Sequence, residues 1–267
     1  MHPVLVEFGP ISIRFYGLMY VIGIVLAMLM LPRETRRKGL PLTDDEVTNF
    51  VLLLVLGGIV GARLYYVAFN WDYYGANPSQ IPALWRGGLA IHGGLIGGLL
   101  AGVWFAHRHQ MPVWRLGDTI APNLILGQAL GRFGNFMNGD AHGVPTELPW
   151  GLVFAPETPA GAQFGATPLH PVMLYEIAIN LGIFAVLWRL RTRPFRDGFL
   201  FALYLILYSA GRFVVEFFRA DSLMLGPLRA AQVVSLLAIL GVGVLLWQRQ
   251  LWAMTPQLRP AVRSGRR

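Results

Sequence analysis

The sequence predicts an all-α polytopic membrane protein of about seven transmembrane helices, N-terminus outside and C-terminus cytoplasmic. Three observations carry that expectation. Of 267 residues, 55% are hydrophobic and only 13% charged, and mean hydropathy is +0.51; a soluble domain carries about 25% charged residues. Seven apolar stretches are long enough to span a hydrocarbon core of ~30 Å, which takes about 20 residues of helix. Basic residues alternate between crowded and sparse connections, as cytoplasmic and external loops do. The net charge of +8 does not imply nucleic acid, because the 22 basic residues, all Arg except Lys38, form no single stripe. The absence of cysteine excludes disulfides, thiolate-bound zinc and an enzyme-borne thiol nucleophile.

The spans fall at roughly 14–32, 47–69, 88–106, 117–137, 170–190, 198–218 and 228–248, within one integral membrane domain, 1–267. The first carries Tyr16 and Tyr20, four apart. The second contains Arg63, and the third opens on Ala90-Ile91-His92-Gly93-Gly94. The fourth is the most polar and runs into a glycine-rich segment, Gly131–Gly143. A Pro- and Gly-rich connection without Lys or Arg, 138–169, follows it. The fifth opens with His170-Pro171, where Pro suits a first helical turn, and carries Tyr175 and Glu176. Met1–Phe15 lacks the order of a signal peptide, so no removable leader is expected. The tail Thr255–Arg267 reads as a basic cytoplasmic segment beside anionic lipid. Gly57/Gly61, Gly93/Gly97, Gly94/Gly98, Gly98/Gly102 and Gly127/Gly131 are small-xxx-small pairs that let helices approach closely.

Orientation follows from the flanks. Fifteen basic residues lie on one side: Arg33, Arg36, Arg37, Lys38, Arg108, Arg115, Arg189, Arg191, Arg193, Arg196, Arg249, Arg259, Arg263, Arg266 and Arg267. Arg14, Arg86, Arg219 and Arg229 lie on the other. The crowded side is cytoplasmic. Arg63, Arg132 and Arg212 remain inside spans, where a charge costs roughly 2.5–3.5 kcal/mol and marks a functional candidate.

Tyr208, Arg212, Glu216 and Arg219 recur at spacings of 4, 4 and 3, so a continuous helix would align them on one face. Arg212 and Glu216 can pair along it, and guanidinium forks suit phosphate. In Gly131–Gly143, Arg132, Asn135, Asn138, Asp140 and His142 interleave with glycines, a pattern for irregular backbone lining a cavity. With the orientation above, Tyr16, His92, His170, Glu176, Arg132, Asn135, Asp140, Tyr208, Arg212 and Glu216 all gather at the outer leaflet. A channel or pump would string polar groups across the whole thickness. The alternative to an enzyme, a lipid or anion transporter using the intramembrane arginines, needs polar residues in the cytoplasmic half, and the sequence offers few. The absence of an internal repeat removes support for an inverted-repeat transporter.

These segments resemble the prolipoprotein diacylglyceryl transferase family. Gly131–Gly143 is similar to its signature, Arg14–Tyr20 to its first span, and His92-Gly93-Gly94 to its His-Gly-Gly element. His170–Glu176 and Tyr208–Asp221 resemble two later motifs, so the likeness runs from the first span to the sixth in family order. Asp140 stands where the family pattern more often has Glu. The resemblance implies transfer of the diacylglyceryl group of phosphatidylglycerol to the lipobox cysteine of a prolipoprotein signal peptide, with a thioether and glycerol phosphate as products. It implies a site facing the outer leaflet of the bacterial inner membrane. Arg132 and Arg212 are expected to hold the phosphate and Asn135 to orient the headgroup. Tyr16, Tyr20 and Tyr208 are expected to hydrogen-bond it, and Glu216 to hold Arg212. Asp140, Gly143 and Arg63 complete the expected substrate-binding set. His92 is the candidate base, because an imidazole accepts protons near neutrality. No cofactor is expected and no metal-ligand spacing is present, so activity should survive chelator. The missing cysteine fits an enzyme whose essential thiol arrives on its substrate.

Overall fold

The computed structural model describes residues 3–8 and 11–254. The tail Thr255–Arg267, with four of the arginines used for orientation, lies outside the described residues, as do parts of Met1–Phe15. A short antiparallel hairpin, β1 (Val4–Phe8) and β2 (Ile11–Arg14), pairs Glu7 with Ser12 and leads into α1 (Phe15–Arg37). Then come α2 (Asp44–Phe69), the short α3 (Trp71–Ala76), α4 (Ile91–Arg108) and α5 (Val113–Asn138). After the long connection, which contains α6 (Pro159–Phe164), follow α7 (Val172–Leu190) and α8 (Phe199–Val215). A two-residue ribbon, β3 (Met224–Leu225) and β4 (Leu228–Arg229), precedes α9 (Ala230–Gln248).

The long helices coincide with the seven expected stretches to within a few residues. Five of them are long and apolar enough to cross a membrane: α1, α2, α7, α8 with its following turn, and α9. In α4 the glycines and a terminal His-Arg dilute the apolar residues. In α5 Arg115, Asp118, Asn123, Gln128, Arg132 and Asn135 do the same. Large side chains such as Leu99, Leu100, Leu237 and Leu240 are exposed along helix surfaces, as lipid-facing side chains are.

The described residues form two compact units: 26–119, and those before 26 together with those after 119. In the first, α2 starts at a capping box. Thr43 accepts from the Glu46 amide while the Glu46 carboxylate accepts from the Thr43 amide, satisfying donors that a helix start leaves open. Its core is the α2–α4 pair, held by bare backbone contact. A methyl group at Gly93 would sit 2.3 Å from the Gly61 carbonyl oxygen, and one at Gly61 would sit 2.4 Å from the Gly93 oxygen. The small-xxx-small pairs Gly57/Gly61 and Gly93/Gly97 therefore serve close packing. Gly93→Val is expected to force the helices apart, costing about 1–3 kcal/mol as overpacking does and lowering the thermal unfolding midpoint in detergent.

Two charges in this unit have structural partners. Lys38, expected only as a topological flank, lies 3.0 Å from the buried Asp118 carboxylate. Arg63, expected among the substrate-binding residues, is 5% exposed. Its guanidinium donates to the carbonyls of Gln80, Ile81, Gly87 and Gly88 at 2.7–2.9 Å. A carbonyl cage satisfies the donors of a buried arginine and makes Arg63 the knot of the α3–α4 connection.

In the second unit α8 packs against both α7 and α9. One apolar cluster joins Ala121 and Ile125 of α5 to Ile183, Leu187, Leu200 and Tyr204. Another joins Phe154, Ala160 and Leu169 of the long connection to Val172, Met173 and Val215. The segment expected as a plain Pro- and Gly-rich loop is thus a folded cap on the ends of α7 and α8. Thr158 caps its short helix by accepting from the Gly161 amide.

Candidate active site

The cap, α5, α7 and α8 converge on a cluster of charges in the second unit. Its centre is Glu176, one turn into α7 and 6% exposed. Arg132 Nε lies 2.5 Å from Glu176 Oε2, and Arg212 Nη1 and Arg219 Nη1 each lie 3.6 Å from Glu176 Oε1. Arg212 Nη2 also reaches Glu216 Oε2 at 2.7 Å. A carboxylate buried beneath three guanidiniums meets the requirement that buried charges be paired.

The expected helical face holds for Tyr208, Arg212 and Glu216, but Arg219 departs from it. The helix tightens to a 3-10 turn at Glu216–Phe218, and Arg219 is extended (φ −83°, ψ 138°). Arg219 is therefore neither an outlying flank nor a member of the helical row. It is 7% exposed and forks onto Asp221, with Nε 3.0 Å from Oδ1 and Nη2 2.8 Å from Oδ2. Its backbone bridges to Gly143. There the absence of a side chain matters: a methyl group on Gly143 would lie 2.5 Å from the His170 carbonyl oxygen. Gly143, expected to bind substrate, has a packing role that aligns the Arg219 strand. Gly143→Ala should lower activity by displacing that strand, and circular dichroism should show the helices intact.

Asp140, the shorter carboxylate, still reaches its neighbours. It accepts from Asn135 Nδ2 at 2.7 Å and from Asn138 Nδ2 at 3.1 Å. Asn135 Oδ1 in turn accepts from Arg132 Nη1 at 3.3 Å. Asp140 and Asn135 thus form a relay that fixes the Arg132 fork. Tyr16 packs on Gly134, where a methyl group would meet its ring at 2.6 Å, and its hydroxyl lies 3.2 Å from that of Tyr20. Tyr16 is within electrostatic range of Asp140 and Arg132, and Tyr208 of Arg212. His92, in the first turn of α4, and Arg63 belong to the other unit; the His92 ring lies 6.0 Å from that of Tyr65.

The chemistry follows from which charges are accessible. The side chains of Arg132 and Arg212 are 24% and 20% exposed, whereas those of Glu176 and Glu216 are 7% and 1%. The carboxylates lie beneath and the guanidiniums form the open face. Such a surface suits an anion with several acceptor oxygens, because planar forks bind phosphate bidentately. Sequence reasoning named Arg132 and Arg212 for an anion and placed Arg219 on the Tyr208–Glu216 face, but did not name Glu176 as the carboxylate that the three share. The available signal was charge balance: three arginines in or beside apolar helices require buried carboxylates.

The family model described as prolipoprotein diacylglyceryl transferase matches residues 3–248. The chain is 44% identical to the phosphatidylglycerol–prolipoprotein diacylglyceryl transferase of Synechococcus elongatus, over 97% of its own length and 92% of that protein. It is 43% identical to the proteins of the same name from Bacillus cereus, over 93% and 92%, and Clostridioides difficile, over 86% and 88%.

Proposed function

Because the chain belongs to the prolipoprotein diacylglyceryl transferase family and is a transferase, we propose that it moves the diacylglyceryl group of phosphatidylglycerol onto the cysteine thiol of a prolipoprotein. This is the opening step of lipoprotein biosynthesis in the bacterial inner membrane. All seven long helices span the bilayer in this reading, with the N-terminus outside and the charged cluster at the outer leaflet. The observation that carries it is the accessible guanidinium face of Arg132 and Arg212 over the buried Glu176 and Glu216.

The acceptor sulfur attacks the glyceryl carbon bonded to the phosphodiester oxygen. A C–S bond forms, the C–O bond breaks, and its electron pair leaves on glycerol phosphate. The thiol proton passes to a base. Arg132, held by Asn135 and Asp140, and Arg212, held by Glu216, stabilise the charge developing on the departing phosphate. Fixed donors aimed at developing charge are the largest common contribution to such barriers. Neighbouring guanidiniums also favour the thiolate. Tyr16, Tyr20 and Tyr208 contribute hydroxyls to the headgroup. His92 is proposed as the base on its sequence element alone. If so, His92→Asn recovers activity as pH rises toward the thiol's own ionisation; an equal loss at every pH rejects the base role.

The function is tested with purified protein, phosphatidylglycerol labelled in its diacylglyceryl group, and a lipobox peptide. Label on the peptide cysteine is expected. Movement of label across a bilayer without peptide modification would mean transport instead.

A further inference from the structure

Arg229, expected as a flank on the sparsely charged side, has a specific partner at the charged cluster. It ends β4 and directly precedes α9, and its Nη1 donates to the main-chain carbonyl of Glu216. Three residues on, Gln232 Nε2 donates to the carbonyl of Phe213 at 3.3 Å. We propose that Arg229 is a positioning residue of the active site, holding the turn after α8 that brings Arg219 to Glu176. The inference rests on the transferase reading and adds to it a contribution from α9.

The need for such a donor follows from how α8 ends. In a continuing α-helix the Glu216 carbonyl would accept from the amide of Ala220, four residues on. Here the Ala220 amide donates to the His142 carbonyl at 3.2 Å, and the Glu216 carbonyl receives the Arg219 amide at 3.3 Å, within the 3-10 turn. Helix ends leave such carbonyls open, and a guanidinium supplies a charge-assisted bond, stronger than a neutral one. The chain brings it there by doubling back after Asp221 through the β3–β4 ribbon. In that ribbon Met224 pairs with Arg229, and the Ala230 amide donates to the Leu223 carbonyl at 2.8 Å. The reversal passes Gly226 at φ 60°, a conformation that favours glycine. α9 then packs on α8, with Arg229 and Gln232 three apart and so on one face.

Glu216 is thereby fixed through both its side chain and its main chain. Its Oε2 lies 2.7 Å from Arg212 Nη2, and its carbonyl receives Arg229 and the Arg219 amide. From that turn Arg219 runs extended beside Gly143, and its Nη1 lies 3.6 Å from Glu176 Oε1. Arg212 Nη1 approaches the same oxygen at the same distance. Sharing that oxygen keeps Arg212 between two carboxylates with its fork open to phosphate. If the turn relaxed into helix, Arg219 would rejoin the Tyr208 face, and Glu176 would draw Arg212 and Arg132 inward. Arg229 itself touches no reacting group and acts through Arg219.

The test uses variants of the full-length protein in detergent, assayed with phosphatidylglycerol and a lipobox peptide. Arg229→Met keeps the aliphatic stem and removes the donors. It should lower kcat roughly 10–100-fold, the scale of misplacing a catalytic group by about 1 Å, with KM for phosphatidylglycerol unchanged. Arg229→Lys still offers an ammonium to the carbonyl and should retain most of the wild-type rate. Because Arg229 acts through Arg219, the losses should not multiply: in an Arg219→Lys background, Arg229→Met should add little further loss. Arg229→Gln, too short to reach the carbonyl, should match Arg229→Met and covers the case in which Arg229→Met fails to fold. The proposal is overturned by full activity in Arg229→Met, by a rise in KM at constant kcat, or by Arg229→Lys losing as much as Arg229→Met. Losses that multiply in the double variant would overturn it too, and the preceding results decide where that variant is too slow to assay. Failure of both Arg229→Met and Arg229→Gln to fold would assign Arg229 to stability alone and overturn it as well. Wild-type protein that modifies no peptide would overturn the transferase reading, and this one with it.

Discussion

Replacing Arg212 by Lys is expected to lower diacylglyceryl transfer by at least about 10²-fold, the scale of losing one preorganised donor to a developing oxyanion. The charge is conserved, so the loss isolates geometry. Arg212 spans two carboxylates, with Nη2 2.7 Å from Glu216 and Nη1 3.6 Å from Glu176. A lysine ammonium reaches one of these and has no second planar edge for phosphate. Arg132→Lys should behave alike, because it breaks the relay through Asn135 to Asp140. Full transfer by Arg212→Lys, measured as initial rate on a lipobox peptide, would reject bidentate phosphate binding. A large rise in KM for phosphatidylglycerol with kcat unchanged would assign the arginine to ground-state binding alone.

Glu176→Ala is expected to be the most destabilising substitution in the cluster. It leaves Arg132, Arg212 and Arg219 facing one another without the carboxylate that separates them. Breaking a buried ion pair from one side costs about 3–5 kcal/mol. The thermal unfolding midpoint in detergent should fall sharply and transfer should be lost. Removing one guanidinium as well, in Glu176→Ala/Arg219→Met, should recover stability more than activity, because the charge repulsion is relieved while the cluster stays incomplete. Unaltered stability in the single variant would mean that Glu176 does not balance the arginines.

The helices were legible because lipid makes one demand of a span, a long apolar run, and that demand is local in sequence. The polar α5 was legible too, because its glycines and Arg132 stand out against an apolar background. Features that depend on how the chain turns were not. Arg219 follows the spacing of a helical face, yet a 3-10 turn at Glu216 removes it from that face and returns it to Glu176 from another direction. The cap over 138–169 reads as loop because its core residues, Phe154, Ala160 and Leu169, follow no helical or strand period. Lys38 and Arg63 read as a flank and a site residue. Their partners, Asp118 and a set of backbone carbonyls, are distant in sequence and carry no periodic signal.

Mass spectrometry of the acceptor peptide together with assay of released glycerol phosphate tests the central claim most directly, because it identifies which bond breaks. The account predicts a cysteine carrying a diacylglyceryl group in thioether linkage, one glycerol phosphate per modified peptide, and loss of both products together in Arg132→Lys and Arg212→Lys. A peptide that retains the phosphate, or glycerol phosphate released without peptide modification, would contradict it.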